Sequence, residues 1–288
     1  MRDFKGRVAV VTGAASGIGR ALAECFAAEG MRVVLADVEE RALAATTADL
    51  VAAGATAIGI VTDVSDGAQM RSLAERAFAE YGAVHILCNN AGVGGDSGPV
   101  WELAPATWQW VLGVNLWGVI HGIRAFVPAM LKQGGEGHVV NVASLAGLLT
   151  APGLSPYYAT KHAVVAISES LHHELAMAGA KIRASVLCPG FVKTNIVDSG
   201  RNRPAHLAIA PTPVTPVAQQ RAAMMRMLVD TGMPPSQVAT LVLDAIREER
   251  FYIFPHPDGV EIYRDYSADV VAGRNPAFDP TRLVASRK

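Results

Sequence analysis

At 288 residues, 51% of them hydrophobic and with a mean hydropathy of +0.26, the chain suits one large domain or two small ones around a sizeable core. Its 25 Lys+Arg against 26 Asp+Glu leave a net charge of −1 with no basic or acidic block, which speaks against nucleic acid or an anionic membrane as partner. Three scattered cysteines, Cys25, Cys88 and Cys188, suit a reducing compartment rather than a disulfide framework. The opening MRDFKGRVAV has too short an apolar run for a signal peptide. No stretch reads as long and apolar enough to span a bilayer, so a soluble cytoplasmic protein is expected.

In chain order, residues 7–12 (RVAVVT) form a β-branched run ending at a glycine and read as a buried strand. Residues 17–29 carry Ile18, Leu22, Ala23, Cys25 and Phe26 at helical spacing. The alternation continues with strands over 32–36, 56–61, 84–88, 138–142 and 181–187. Helices intervene over 39–53, 67–81, 105–132 (with a possible interruption) and 156–178. Strands alternating with helices of this length imply βαβ units, a parallel sheet and helices on both faces. This is a Rossmann-type, doubly wound α/β architecture. Residues 195–220 hold four prolines and are long for a plain connection. Residues 221–229 and 236–249 look helical, and 251–254 (FYIF) reads as the last strand. Val260, Ile262, Tyr263, Tyr266 and Val270 then form an apolar stripe in the tail.

The segment Thr12-Gly13-Ala14-Ala15-Ser16-Gly17-Ile18-Gly19 lies at the first strand–helix junction. Glycines there permit a tight turn and a close approach of backbone to a pyrophosphate, and the helix N-terminus offers free N–H groups to an anion. Asp37 ends the second strand, where a carboxylate can accept from the ribose hydroxyls of NAD and would repel the 2′-phosphate of NADP. No arginine or lysine stands at 14–16 or 38 to compensate, so NAD is favoured over NADP. Asp37 can equally cap the helix that begins near Glu39. Asp63-Val64 closes the third strand, where a carboxylate and an N–H could meet an adenine edge. Asn89-Asn90-Ala91-Gly92 closes the fourth, and such strand ends are where open parallel sheets bind ligands.

Tyr157 and Lys161 stand one helical turn apart, with Ser144 upstream. A phenol with a pKa of about 10 is a poor proton shuttle near neutrality. A lysine at i+4 can lower that value by its charge, and a serine hydroxyl can bond the same substrate oxygen. Together they suit acid/base work on a carbonyl–alcohol pair. Tyr158 is also near Lys161, so spacing alone leaves the tyrosine open.

The run TGAASGIG, Asp63, NNAG, Asn115 in GVNLWG, Ser144, YYATK and PGFVKT resembles, in content and order, the compact one-domain branch of the short-chain dehydrogenase/reductase family. The resemblance covers residues 7 to 194. It implies a parallel sheet of about seven strands and hydride transfer with a nicotinamide cofactor. It also implies Tyr157, rather than Tyr158, as general acid/base, with Lys161 lowering its pKa and binding the nicotinamide ribose. Ser144 would orient the substrate oxygen, and Asn115 would hold a water in a proton relay reaching Lys161. Pro189, Gly190, Val192 and Thr194 would meet the nicotinamide end, and a homodimer or homotetramer would be the assembly.

The chain departs from that branch after the last strand, where more than thirty residues follow Phe254. A single domain is therefore expected to carry a substrate lid at about 195–232 and a C-terminal extension at about 256–288. Ile196, Val197, Leu207, Ile209, Val214, Met224, Met225 and Leu228 make the lid apolar, which points to a small apolar or aromatic alcohol or ketone. NIVDSGRNRP and FYIFPH are weakly similar to a subgroup that oxidises benzylic alcohols of lignin-type aryl ethers. Arg201 and Arg203 could contact a carboxylate, though solvated surface charge explains them as well. His172-His173-Glu174 could suggest a metal, but adjacent histidines point to different helix faces and read as solvent-exposed. Rival functions are a non-catalytic NAD-binding regulator, a sugar-nucleotide epimerase of the extended branch, and a Rossmann methyltransferase. The intact Ser144–Tyr157–Lys161 set, the GxxxGxG spacing and the YxxxK motif each argue against one of them.

Overall fold

The computed structural model describes residues 1–210 and 215–278. Val214 and the end of the tail lie outside them.

Seven parallel strands form one sheet in the order β3-β2-β1-β4-β5-β6-β7. They are β1 Val8–Thr12, β2 Arg32–Asp37, β3 Ala57–Val61, β4 Ile86–Asn89, β5 Gly137–Val142, β6 Ile182–Leu187 and β7 Tyr252–Ile253. Every residue of β1, β4 and β5 is buried, as a strand covered on both faces requires. The strand order reverses between β1 and β4, and this switch point opens a crevice above the strand C-termini.

The helices are α1 Gly17–Ala28, α2 Glu40–Ala52, α3 Gly67–Tyr81, α4 Pro105–Val111, α5 Gly118–Gln133, α6 Ser155–Met177, α7 Pro216–Asp230, α8 Pro235–Glu248 and α9 Pro257–Val271. One face of the sheet buries Leu22, Phe26, Leu35, Val242 and Ile246 against α1 and α8. The other buries Met70, Leu73, Leu87, Phe126 and Met130 against α3 and α5. Full burial of such side chains contributes about 1.5–3 kcal/mol each.

Local chemistry sets the ends. Asp66 caps α3 by accepting from the N–H of Ala68 at 2.7 Å, and Gly82 closes that helix in the left-handed region at φ +76. The expected long helix over 105–132 is interrupted: Leu112–Trp117 is a π-helical turn between α4 and α5. Such turns often mark functional positions, and this one holds Asn115.

Two expectations are corrected. The run Pro105–Gln133 is long and apolar enough, by length and composition, to cross a membrane. Its apolar face is spent on the core instead, where Phe126, Val127 and Met130 pack beneath the sheet. The last strand is shorter than FYIF, because Pro255 has no N–H to continue the ladder beyond the pairing of Ile253 with Leu187.

Candidate active site

A cavity of about 1680 Å³ opens at the switch point, large enough for a dinucleotide and a second small molecule. Its floor is the loop after β1. A Cβ on Gly13 would stand 2.8 Å from Ala91 Cα, and one on Gly19 would collide with the Gly13 carbonyl. Gly17 has φ +55 and lies against Thr194, whose Cγ2 would be 3.0 Å from an added Cβ. Ser16 precedes α1 without a side-chain capping bond, leaving first-turn N–H groups for an anion. The residues thus fit a pyrophosphate cradle. Asn90 braces it by donating to the carbonyls of Thr12 and Gly13 at 2.7 and 3.2 Å.

Gly13, Ser16, Gly17, Ile18, Asp37, Val64, Asn90, Ala91 and Gly92 all line the cavity. Gly19 lies beneath it. Asp37 is buried and accepts from the N–H of Ala15 at 2.9 Å and of Glu39 at 3.0 Å. Its carboxylate therefore fastens the phosphate loop to β2, and with about four acceptor sites it keeps capacity for ribose hydroxyls. It caps the turn into α2 rather than the helix, since Glu39 is the residue before the first turn. Asp63 is not brought to the cavity: its carboxylate accepts from the Ser65 N–H and hydroxyl, and its N–H donates to Gln69.

Ser144, Tyr157 and Lys161 line the same cavity, with Pro189, Gly190, Val192 and Thr194 on its far wall. The Lys161 ammonium is 5.5 Å from the Tyr157 ring centre and donates to the Val142 carbonyl at 2.9 Å. Burial pushes the Lys161 ammonium down to about 8. Burial likewise pushes the Tyr157 phenol up, while its hydrogen bond with Ser144 pulls it down. The lowering expected from Lys161 is not produced by the chain's own groups, because desolvation of the phenol dominates. Tyr158 also borders the cavity, and burial pushes its phenol up to about 12. Asn115 does not line the cavity. Its amide exchanges two hydrogen bonds with the backbone of Val93, at 2.8 and 2.9 Å, and holds the strand-end loop over Gly92.

The segment after Thr194 covers the crevice. Arg201 forms a two-pronged pair with Glu39 at 2.5 and 3.2 Å, and Asn202 adds a third bond at 2.9 Å. Arg201 holds the Glu39 carboxyl below its ordinary range. Arg203 pairs with Asp96 at 2.6 Å and stacks over Trp110 at 4.7 Å. Both arginines are thus committed within the chain. Ser199 accepts from the Gly94 N–H at 3.0 Å. Ile196, Val197, Met224, Met225 and Leu228 line the cavity, whereas Leu207 turns to the Val93, Trp110 and Val111 cluster.

The structure adds residues that the sequence reading passed over. His256 accepts from the Gly190 N–H at 3.0 Å and bonds the Phe191 carbonyl at 3.1 Å, so it positions the loop after β6 that lines the cavity. Burial pushes its imidazole below the usual histidine range. Ile262, Tyr266 and Val270 of the apolar tail stripe, on α9, join Phe278 in the cavity wall. FYIFPH carried no signal for His256 beyond its place after a strand. The Glu39–Arg201 pair joins positions far apart in the chain. His172 is corrected from solvent-exposed to partly buried, its ring 4.9 Å from that of Phe251. Among the described residues no cluster of His, Cys, Asp and Glu could hold a metal ion.

The pattern of the family described as short chain dehydrogenase matches residues 7–205. The chain belongs to the short-chain dehydrogenase family. A short chain dehydrogenase/reductase from Burkholderia phymatum, solved in complex with NAD, is 48% identical, with a TM-score of 0.94 over 97% of this chain and 99% of that one. The 1-deoxy-11-beta-hydroxypentalenate dehydrogenase of Streptomyces exfoliatus is 38% identical over 92% of this chain and 88% of its own length. The C alpha-dehydrogenase of Sphingobium sp. (strain NBRC 103272 / SYK-6) is 34% identical over 94% and 88%. The protein is therefore an NAD(P)-binding oxidoreductase acting on CH–OH groups, with the seven-stranded parallel sheet expected of it.

Proposed function

We propose that this short-chain dehydrogenase prefers NAD and interconverts an apolar or aromatic secondary alcohol and its ketone, with Tyr157 as general acid/base. The reading rests on one observation above the others: Ser144, Tyr157 and Lys161 share a cavity with the glycine cradle and with Asp37.

NAD, when bound, supplies the hydride acceptor and a positively charged ring. The chain's residues do the rest. Ser144 and Tyr157 bond the substrate oxygen from one side and polarise it where charge changes. Tyr157 takes the hydroxyl proton in oxidation and returns it in reduction. Lys161, fixed by Val142, holds positive charge beside the phenol and bonds the nicotinamide ribose. Asn115 positions the loop at Gly92 and supports a water relay toward Lys161. Thr194, against Gly17, bonds the carboxamide end. Asp37 takes the adenosine ribose and disfavours the 2′-phosphate of NADP. Pro189, Gly190 and Val192 form the wall on which the ring lies, and Val64 borders the adenine; Asp63 supports that border through Ser65.

The lid's Ile196, Val197, Met224 and Met225 support an apolar substrate. The two relatives whose names mark them as dehydrogenases support the oxidative direction. Exposed Trp117 and Leu131 on and beside α5, with Met177 on α6, support a homodimer or homotetramer. The test is NAD reduction over a panel of secondary alcohols: steroids, terpenols, and benzylic alcohols including aryl ethers. Turnover of at least one apolar member with NAD, at a higher kcat/KM than with NADP, is expected. Turnover confined to polar sugars, or a preference for NADP, overturns the reading.

A further inference from the structure

The charges that line the cavity are not all compensated. Among the described residues, the basic side chains lining it are Lys161, Arg201, Arg221, Arg226, Arg274 and His256. Lys161 is bonded to a carbonyl, Arg201 to Glu39, Arg226 to Asp198 and Arg274 to Asp269. His256 is held between Gly190 and Phe191. The acidic side chains lining it, Asp37, Glu39 and Asp269, are bonded in turn. Arg221, on α7, is left with no ion pair or hydrogen bond among the described residues.

Its position is specific. The Arg221 guanidinium reaches Gly153, just before α6, where Nη1 lies 3.9 Å from the point a Cβ would occupy. The Ser97 hydroxyl lies 3.2 Å from that same point. Ser97, like Arg221, lines the cavity and has no hydrogen-bond partner among the described residues. The two donors are therefore at most about 7 Å apart, a gap that one carboxylate closes by accepting about 2.8 Å from each. Gly153 is buried with φ +103, a conformation other residues rarely adopt, so no side chain from this position crowds the two donors. Around it, Leu149, Ala151, Pro152, Leu154 and Tyr158 make the wall apolar. This is the substrate end, since Tyr157 follows on the first turn of α6.

We propose that Arg221 and Ser97 form an anion subsite over Gly153, and that the substrate is an apolar hydroxy acid or keto acid whose carboxylate docks there while its carbinol meets Tyr157. The proposal rests on the hydride-transfer reading above and narrows its substrate class. Arg221 and Ser97 are both solvent-exposed, so this unpaired cation stands where the apolar pocket meets solvent, and it favours a ligand that brings the opposite charge at one end. A planar guanidinium suits a carboxylate better than an ammonium does.

The experiment compares 4-(1-hydroxyethyl)benzoate with its methyl ester as NAD-dependent substrates of the wild type, Arg221→Ala, Arg221→Lys and Ser97→Ala. Binding of the acid to NAD-saturated Tyr157→Phe protein, with and without Arg221→Ala, is measured by calorimetry. The wild type is expected to favour the acid. Arg221→Ala should lower the acid-to-ester ratio of kcat/KM by about tenfold or more, through KM rather than kcat. Arg221→Lys should restore part of it and Ser97→Ala should lose less. The calorimetric Kd for the acid should rise by a similar factor. Equal effects on acid and ester, or no effect, overturn the subsite, as does failure of the acid to bind. Tyr157-dependent turnover of the ester without an Arg221 effect leaves the hydride-transfer reading standing alone. Arg221-dependent binding of the acid with no turnover of either compound leaves the subsite standing and removes that reading.

Discussion

The two halves of the cavity are built on different principles. On the cofactor side, backbone touches backbone: Gly13 and Gly19 leave no room for a methyl group, and Asp37 and Asn90 are tied to the loop they support. On the substrate side the covering segments are held by surface ion pairs, Arg201 to Glu39 and Arg226 to Asp198. They expose apolar side chains such as Ile209 and Met224. Close-packed backbone tolerates little change, whereas exposed ion pairs contribute about 0–1 kcal/mol each and can be broken and remade. On the proposed function, the first half would fix the reaction, and the second would be free to set the substrate and the rate of opening.

The largest expected effects fall on the rigid half. Tyr157→Phe removes the proton carrier and should lower kcat by about a thousandfold or more, with NAD affinity changed by about threefold at most. Stopped-flow turnover and NAD titration of the same protein measure both; retained activity removes Tyr157 from its role. Gly19→Ala places a methyl group on the Gly13 carbonyl. It should weaken NAD binding by about a hundredfold or cost about 1–3 kcal/mol of stability, read by titration and thermal unfolding. Unchanged binding and stability would mean that the cradle yields, and the contrast between the halves would go.

Asp37→Ala has a smaller, directional effect. It removes the carboxylate proposed to take the adenosine ribose and frees the Ala15 N–H. The NAD-to-NADP ratio of kcat/KM should fall about tenfold, a change that competing kinetics with both cofactors resolves. A ratio that stays fixed would place cofactor choice elsewhere on the wall, with Glu39 and Arg201 the next residues to change.

The legibility of the sequence follows the same division. β1, α1 and β2 read directly, because buried strands need β-branched runs and the cradle needs its glycines at a strand–helix junction. Spacing alone leaves two tyrosines open, and only the family resemblance points to Tyr157 with Lys161 and Ser144; the structure brings these three and Tyr158 to one cavity. What escaped depends on contacts between distant segments. Asp63 stands where an adenine contact was expected, yet Ser65 and Gln69 occupy its groups. His256 reaches back to Gly190 from beyond the last strand, and Arg201 reaches Glu39 across the crevice. Long-range pairs of this kind leave no periodicity in the chain. The apolarity of 105–133 misleads in the other direction, since a core helix and a spanning one share it.

The smallest expected effect tests the loose half itself. Arg201 and Asn202 bridge from the covering segment to Glu39, next to the carboxylate that orders the phosphate loop. Opening that bridge frees the cover from Glu39 without touching Ser144, Tyr157 or Lys161. Glu39→Gln keeps the shape and removes the charge, so NADH release should quicken by about two- to fivefold, the scale of one exposed ion pair. If release limits turnover, kcat rises by the same factor while the chemical step, read in single-turnover experiments, stays constant. Raising ionic strength should reproduce part of the effect in the wild type and none in Glu39→Gln, because screening acts on the pair only where it exists. A chemical step that slows together with release would show instead that the cover and the cradle form one rigid unit.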